Sequence, residues 1–343
     1  MKTAKKLSSI FSVIAIIMLF IGCESAIKKL DAKAESNSEN TQGLNPFEPD
    51  GSPPEQEING YRLVFNDEFN HEGPMKKEYW NAETGFRRNN EHQWYQSKNG
   101  VCTAGRLIIS AKKEQVKNPD YEKASQDWKK NREYATYTSA SFITKKEYHQ
   151  KYDSIMMIMR AKLPLKTGGD EDYGVWPAFW TTGAGLWPHG GEIDIMEYYT
   201  ERMMANFAYK GQGNVVWKGN KQENATNSYI KNIINGTAIG FNADKDWLQK
   251  YHIWKLIGNG QWLTVYLDDI FMSRIELDTK NIDTSKLEYP FKGNTCNYWI
   301  NLAVGGKPHP DIEKFEKTEF PRQYEIDYAR IYVMNPRCKP LRI

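Results

Sequence analysis

One stretch, Gly191-Glu192-Ile193-Asp194-Ile195-Met196-Glu197, restricts the fold more than any other in the 343-residue chain. Three carboxylates sit within six residues, separated by apolar side chains, and Tyr198 and Tyr199 follow. This filling reads as a β-strand. Side chains on a strand alternate faces, so Glu192 and Asp194 share one face while Ile193 and Ile195 anchor the other. Glu197 has the wrong parity. It rejoins the two acids only through a one-residue β-bulge, a device that re-aims side chains near active sites. Three carboxylates on one face repel unless one holds a proton, which separates an acid from a base within a single residue type. Glycoside hydrolysis requires such a pair, and Asp194 between them would orient Glu192. Two other readings compete: an acidic solvent face on an edge strand, and a divalent-cation cluster.

The surroundings favour carbohydrate. Gly174-Val175-Trp176-Pro177-Ala178-Phe179-Trp180 lies just upstream, followed by Leu186-Trp187-Pro188-His189. Indole rings stack on the apolar C–H faces of sugars, and Trp176 and Trp180 have the parity to share a strand face. Core packing is the competing role for any single Trp. Formal net charge is +3, and without Lys2, Lys5 and Lys6 of the leading segment the basic and acidic counts are equal. Nucleic acid is therefore not an expected partner, because phosphate binding needs a basic surface. The balance also suits an uncharged polysaccharide better than a heavily sulfated one.

Glu-Ile-Asp-Ile-Met-Glu preceded by Trp-Pro-Ala-Phe-Trp resembles glycoside hydrolase family 16, in the branch with the bulged catalytic strand that holds laminarinases, β-glucanases, agarases and endo-β-galactosidases. Further matching stretches include Asn89-Asn90-Glu91, Gly105-Arg106-Leu107-Ile108, Arg160-Ala161-Lys162-Leu163-Pro164, Asn301-Leu302-Ala303-Val304-Gly305-Gly306 and Tyr324-Glu325-Ile326-Asp327. The resemblance covers residues 61–334. It implies an all-β jelly-roll sandwich, with Glu192 as nucleophile, Glu197 as general acid/base and Asp194 as the assisting carboxylate. It also implies retention of anomeric configuration, with the two glutamates' carboxyls about 5–5.5 Å apart. Trp176, Trp180 and Trp187 are expected to contact sugar, and Asn89 and Arg160 to bind its hydroxyls. For Arg160, a salt bridge beneath the sheet is the competing role. No cofactor is expected for catalysis. A structural calcium, held by Asp327 and the Gly105 carbonyl, is the one ion the family pattern suggests.

The polymer stays open between two classes, a β-1,3- or β-1,3/1,4-glucan and a galactose-containing glycan such as algal galactan or mucin-type O-glycan. Met203-Met204-Ala205-Asn206-Phe207-Ala208-Tyr209 stands where laminarinases carry a Gly-Thr-x-His-like strand, and this resembles the galactose-directed members more closely. A catalytically dead carbohydrate-binding module and a transglycosylase are the alternatives from other classes.

Along the chain, residues 1–22 read as an export signal with an apolar run at 10–21. Gly22-Cys23 resembles a bacterial lipobox, so Cys23 is expected to be lipidated and the protein held at a membrane, facing the periplasm or the cell surface. Residues 23–57 read as a disordered tether, 58–336 as the catalytic domain and 337–343 as a tail. A monomer is expected. Four cysteines, Cys23, Cys102, Cys296 and Cys338, form no redox or zinc motif. Turn chemistry places a hairpin around Asp268-Asp269, and the segment 324–333 alternates with Tyr324, Ile326, Tyr328, Arg330 and Tyr332 on one face. Residues 113–133 and 211–240 read as insertions that would rim a cleft.

Overall fold

The computed structural model describes residues 54–199, 202–211, 214–219, 247–277 and 289–334. The export signal, Cys23, nearly all of the tether, most of the 211–240 insertion and the tail lie outside them. Among the described residues, no helix is long and apolar enough to cross a membrane.

The architecture is a sandwich of antiparallel sheets, the jelly roll expected from the sequence. Among the described residues one sheet has seven strands, in the spatial order Val215–Gly219, Arg202–Lys210, Glu192–Tyr199, Val175–Thr182, Trp299–Val304, Ser141–Thr144 and Trp80–Ala82. The other sheet is built around Arg322–Met334, which pairs with Ile155–Lys162, Arg106–Lys117 and Tyr61–Asp67. Phe179, Ile193, Ile195, Phe207, Ile300 and Leu302 point from the first sheet into the shared core, where they meet Leu107, Ile109, Met157, Met159, Trp254 and Ile326 from the second. Strand parity then leaves the opposite face of the seven-stranded sheet for Trp176, Ala178, Trp180, Asn301 and Ala303.

The hairpin forms where expected, with Trp262–Leu267 and Ile270–Glu276 joined by Asp268 and Asp269 at φ 48° and 64°. Two consecutive left-handed residues match the twist of the flanking strands, and aspartate tolerates that conformation.

Two local expectations are corrected. The 113–133 insertion begins as strand: Arg106–Lys117 continues past Lys112, shifts register between Lys113 and Val116, and then places Val116 opposite Ala135 and Lys117 opposite Tyr134. Alternation along the last strand also breaks. Arg160 pairs with Tyr328 but Ala161 pairs with Ile326, so Asp327 is an extra residue. Tyr324 and Ile326 face the shared core, yet past the bulge Ala329 and Ile331 take over that face, while Tyr332 joins Met156 and Ile158 on the outer side. A period-two reading cannot see an inserted residue whose neighbours are apolar on both sides.

Candidate active site

The acid strand Glu192–Tyr199 carries the bulge its parity demanded. Against Val175–Thr182, Glu192 lies opposite Thr182, Asp194 opposite Trp180 and Glu197 opposite Ala178. On the other side, Asp194 pairs with Asn206 and Glu197 with Met204, so three residues of the acid strand span two of its neighbour. Ile195 and Met196 occupy the bulge, and both are fully buried in the core. The extra apolar residue returns Glu197 to the face of Glu192 and Asp194. All three carboxylates line one cavity, with Arg88, Asn89, Glu91, Trp176, Ala178, Trp180, Asn301 and Ala303.

Glycine sets up the start of the strand. Gly191 has φ +77°, and a Cβ there would stand 2.6 Å from Pro290 and 2.8 Å from the Phe291 ring. Gly183, across the hairpin neck, would put a Cβ 2.0 Å from the Gly190 carbonyl oxygen. Only glycine admits both the left-handed backbone and the close approach that deliver Glu192 to the cavity.

Each strand beside the acids contributes a donor or an aromatic wall. The Trp176 indole N–H donates to Glu197 Oε1 at 3.0 Å. Trp176 packs against Tyr199, Met204 and Ala303 on this face. The Trp180 N–H donates to Asn301 Oδ1 at 2.7 Å, and Asn301 Nδ2 donates to the Tyr95 hydroxyl at 3.1 Å. Trp180 and Trp299 stack with centroids 4.9 Å apart.

The wall beyond them is charged. Arg88 Nη1 and Nη2 donate to Glu83 Oε1 and Oε2 at 2.8 and 2.6 Å. Burial opposes ionisation of Glu83, but the Arg88 and Arg87 guanidiniums and the Ser141 hydroxyl outweigh it and hold the carboxyl below its ordinary range. Burial likewise opposes the Arg88 charge, and Glu83 reverses the balance. Glu91 is different. It is 3% exposed, and burial pushes its carboxyl up to about 7, against the opposing pull of Arg88 and the Gln93 amide. Gln93 Nε2 donates to Glu91 Oε2 at 2.7 Å. Asn89 and Asn90 hold this segment in a left-handed bend at φ 52° and 54°.

Of the residues singled out from the sequence, Glu192, Asp194, Glu197, Trp176, Trp180 and Asn89 come together here. Trp187 and Arg160 do not. Trp187 is 53% exposed in the turn ahead of Gly191 and does not line the cavity. Arg160 lies in the other sheet, where its parity with Met156 and Ile158 turns it away from the shared core. There it donates to Asp327 Oδ2 at 2.6 Å and lies over the Tyr251 ring. The salt-bridge role is the one the structure gives it.

That pairing bears on the calcium expectation. Asp327 faces the Arg160 guanidinium, and the nearby Glu68 is held by Arg330 through two hydrogen bonds at 2.9 and 2.6 Å. Both carboxylates are already neutralised by cations, so the corner offers no uncompensated negative charge for a hard divalent ion, and the residues present do not fit one well. Cys102 and Cys296 are buried and free, which excludes a disulfide between them.

Sequence reasoning missed Arg88, Glu91, Asn301 and Trp299 as contributors. The even spacing of Trp299, Asn301 and Ala303, against buried Ile300, Leu302 and Val304, was the available signal for one strand face.

The chain's residues 92–246 match a family model described as "XgeA-like, catalytic GH16 domain". Among curated proteins, it is 27% identical over 305 residues to a glucan endo-1,3-beta-glucosidase A1 of Niallia circulans, covering 82% of this chain and 39% of that protein. It is 26% identical to a beta-glucanase of Rhodothermus marinus, covering 79% of this chain and 85% of that one. The chain thus spans well under half of the Niallia relative and most of the Rhodothermus one. Among solved structures, one from a study of endo-acting O-glycanases with which human gut bacteria initiate mucin breakdown superposes with TM-score 0.64, at 26% identity, over 82% of this chain and 94% of that one. The laminarinase catalytic domain of Thermotoga maritima superposes with TM-score 0.59, at 25% identity, over 80% and 98%. The bulged acid strand lies inside the segment that matches the GH16 catalytic-domain model, and the chain is similar there to the catalytic domains of glycoside hydrolase family 16.

Proposed function

We propose that the protein is an endo-acting, retaining β-glycosidase that cleaves internal linkages of a polysaccharide or glycan. The observation that carries the reading is the bulge, which brings Glu192, Asp194 and Glu197 to one cavity with the Trp176 N–H on Glu197. Glu197, protonated at the start, gives its proton to the leaving glycosidic oxygen as the Glu192 carboxylate attacks the anomeric carbon. The C–O bond to the departing chain breaks and a glycosyl ester to Glu192 forms. Water then attacks the same carbon, loses its proton to Glu197 and releases Glu192. Asp194, beside Glu192 on the strand, orients it. The Trp176 N–H steadies the negative charge that Glu197 acquires in the first step and loses in the second. Trp176 and Trp180 supply aromatic walls and Asn89 a polar group for the sugar.

Both substrate classes keep support. Curated relatives are named for glucans, while the O-glycanase structure superposes with the higher TM-score of the two compared above. Incubation of the domain from residue 54 with laminarin, barley β-glucan, agarose, keratan and mucin O-glycans, with Glu192→Ala as control, separates them. Oligosaccharides from one class, absent with the variant, are expected. Cleavage by Glu192→Ala at the wild-type rate would refute the nucleophile assignment.

The leading segment supports export and lipidation at Cys23, with the domain presented at a membrane surface to a polymer too large to enter the cell. A fatty-acid analogue is expected to label the full chain and to leave Cys23→Ala unlabelled; equal labelling of both would refute it.

A further inference from the structure

Arg88 does more than brace the wall of the cavity. A guanidinium carries five N–H donors in a fixed planar fork. Glu83 takes one from each terminal nitrogen and holds the group by a bidentate contact. Glu83 is itself fixed by Ser141 Oγ at 2.7 Å and by Arg87 Nε at 2.9 Å, and its side chain is 6% exposed. The flanks of the guanidinium are walled by Tyr95, Trp180 and Trp299, with ring centroids 5.3–5.7 Å away. Orientation and charge are thereby set before any ligand arrives. Among the described residues the donors not used by Glu83 meet no protein acceptor, and the Arg88 side chain, which lines the cavity that holds the three acids, keeps 27% of its surface exposed. With the end of the fork on Glu83, the edge formed by Nε–H and one Nη–H remains, a pair of parallel donors.

The acceptor for that edge is limited by its neighbours. Glu91, Glu192, Asp194 and Glu197 line the same cavity, and among the described residues Arg88 is the one cationic side chain lining it. The Arg88 charge is compensated by Glu83, so a sulfate or uronate would meet carboxylates without a net cation to offset them. Neutral oxygens meet no such repulsion, and hydroxyl, ring or amide-carbonyl oxygens on one sugar lie at the separation that two parallel N–H groups span.

We propose that Arg88, clamped by Glu83, is a specificity-determining residue that binds two neighbouring neutral oxygens of one sugar beside the cleaved bond and selects unsulfated glycan over sulfated or uronic chains. The inference rests on the site being the glycan cleft described above.

Binding in a Glu192→Ala background tests it without relying on turnover. The probes are laminarihexaose, a mixed-linkage β-glucan hexasaccharide, and keratan hexasaccharide in sulfated and chemically desulfated forms, followed by calorimetry. At least one neutral probe is expected to bind, and desulfated keratan more tightly than its sulfated form. Arg88→Lys keeps a cation on Glu83 but lacks the forked edge, and is expected to weaken neutral-probe affinity about tenfold or more. Where that variant does not fold, Arg88→Gln with Glu83→Gln, which removes both charges together, replaces it. Unchanged affinity in the variant, tighter binding of sulfated keratan, or binding of none of the neutral probes would overturn the proposal. Arg88-dependent binding by a wild-type protein that cleaves no glycan would instead overturn the glycosidase reading and leave this one standing.

Discussion

Replacing Trp176 by Phe removes the hydrogen bond to the proposed acid/base and narrows, without abolishing, the aromatic wall. Phe keeps an aromatic ring against Tyr199, whose centroid lies 5.0 Å from that of Trp176. The lost contact is the 3.0 Å bond from the indole N–H to Glu197 Oε1. While Glu197 holds its proton, this is a neutral pair, of the kind that contributes about 1 kcal/mol. As the proton leaves, the acceptor becomes charged, and such a bond contributes about 1.5–3 kcal/mol. The difference, roughly 0.5–2 kcal/mol, belongs to the transition state alone, so kcat should fall by about two- to thirtyfold. The pH profile should move as well. A donor facing the carboxylate favours its ionised form, so its removal favours the protonated form. Protonated Glu197 starts the reaction, and the alkaline limb of kcat/KM should therefore shift to higher pH. The assay is initial rate against pH on whichever glycan the wild type cleaves. Wild-type kcat with an unmoved alkaline limb would refute the role given to Trp176.

Three further predictions concern stability. Burial raises the Glu91 carboxyl to about 7, so the folded state holds this proton more tightly than the unfolded chain. Its contribution is full below the ordinary glutamate range and is lost as pH rises through about 7; it amounts to about 3 kcal/mol. Glu91→Gln should accordingly show a smaller fall in Tm between acid and neutral pH than the wild type, and parallel Tm curves would contradict it. His309, 1% exposed beside Tyr173 and Trp176, titrates the other way. Burial lowers it to about 4 against the pull of the Gly305 carbonyl, so its contribution is present above the ordinary histidine range and lost as pH falls through about 4. His309→Gln should flatten the acid side of the Tm curve, and an unchanged acid limb would count against burial as the cause. Gly191→Ala combines a left-handed φ with contact at 2.6 Å on Pro290; it should cost roughly 2 kcal/mol or more, read from urea unfolding. An unchanged midpoint would show that the strand start does not need glycine.

The bulge in the acid strand was legible because chemistry supplied a second constraint. Glu197 had the wrong parity for its partners, and only an inserted residue reconciled them. The bulge at Asp327 had no such constraint, since tyrosine and isoleucine satisfy either face, and alternation was carried through it. Trp176 and Trp180 could be placed because they lie on the strand beside the acids, four residues apart. Arg160 belongs to a motif-like stretch, but its strand sits in the other sheet, and sheet assignment is a property of long-range pairing that local pattern does not contain. The Arg88, Glu91 and Asn301 wall was hidden for the same reason: a left-handed bend at 89–90 and a strand some two hundred residues later meet only after the sheet closes. Lys113–Lys117 read as loop because its exposed charged residues mask a ladder with Tyr134–Ser139.

The stereochemistry of the first product tests the central claim most directly. Proton NMR of a fresh digest, recorded before mutarotation equilibrates the new reducing end, reads the anomer released at cleavage. A double displacement through Glu192 predicts the β-anomer first, decaying toward the equilibrium mixture, and no signal with Glu192→Ala. The α-anomer appearing first would mean single displacement by water, and would contradict a nucleophilic Glu192.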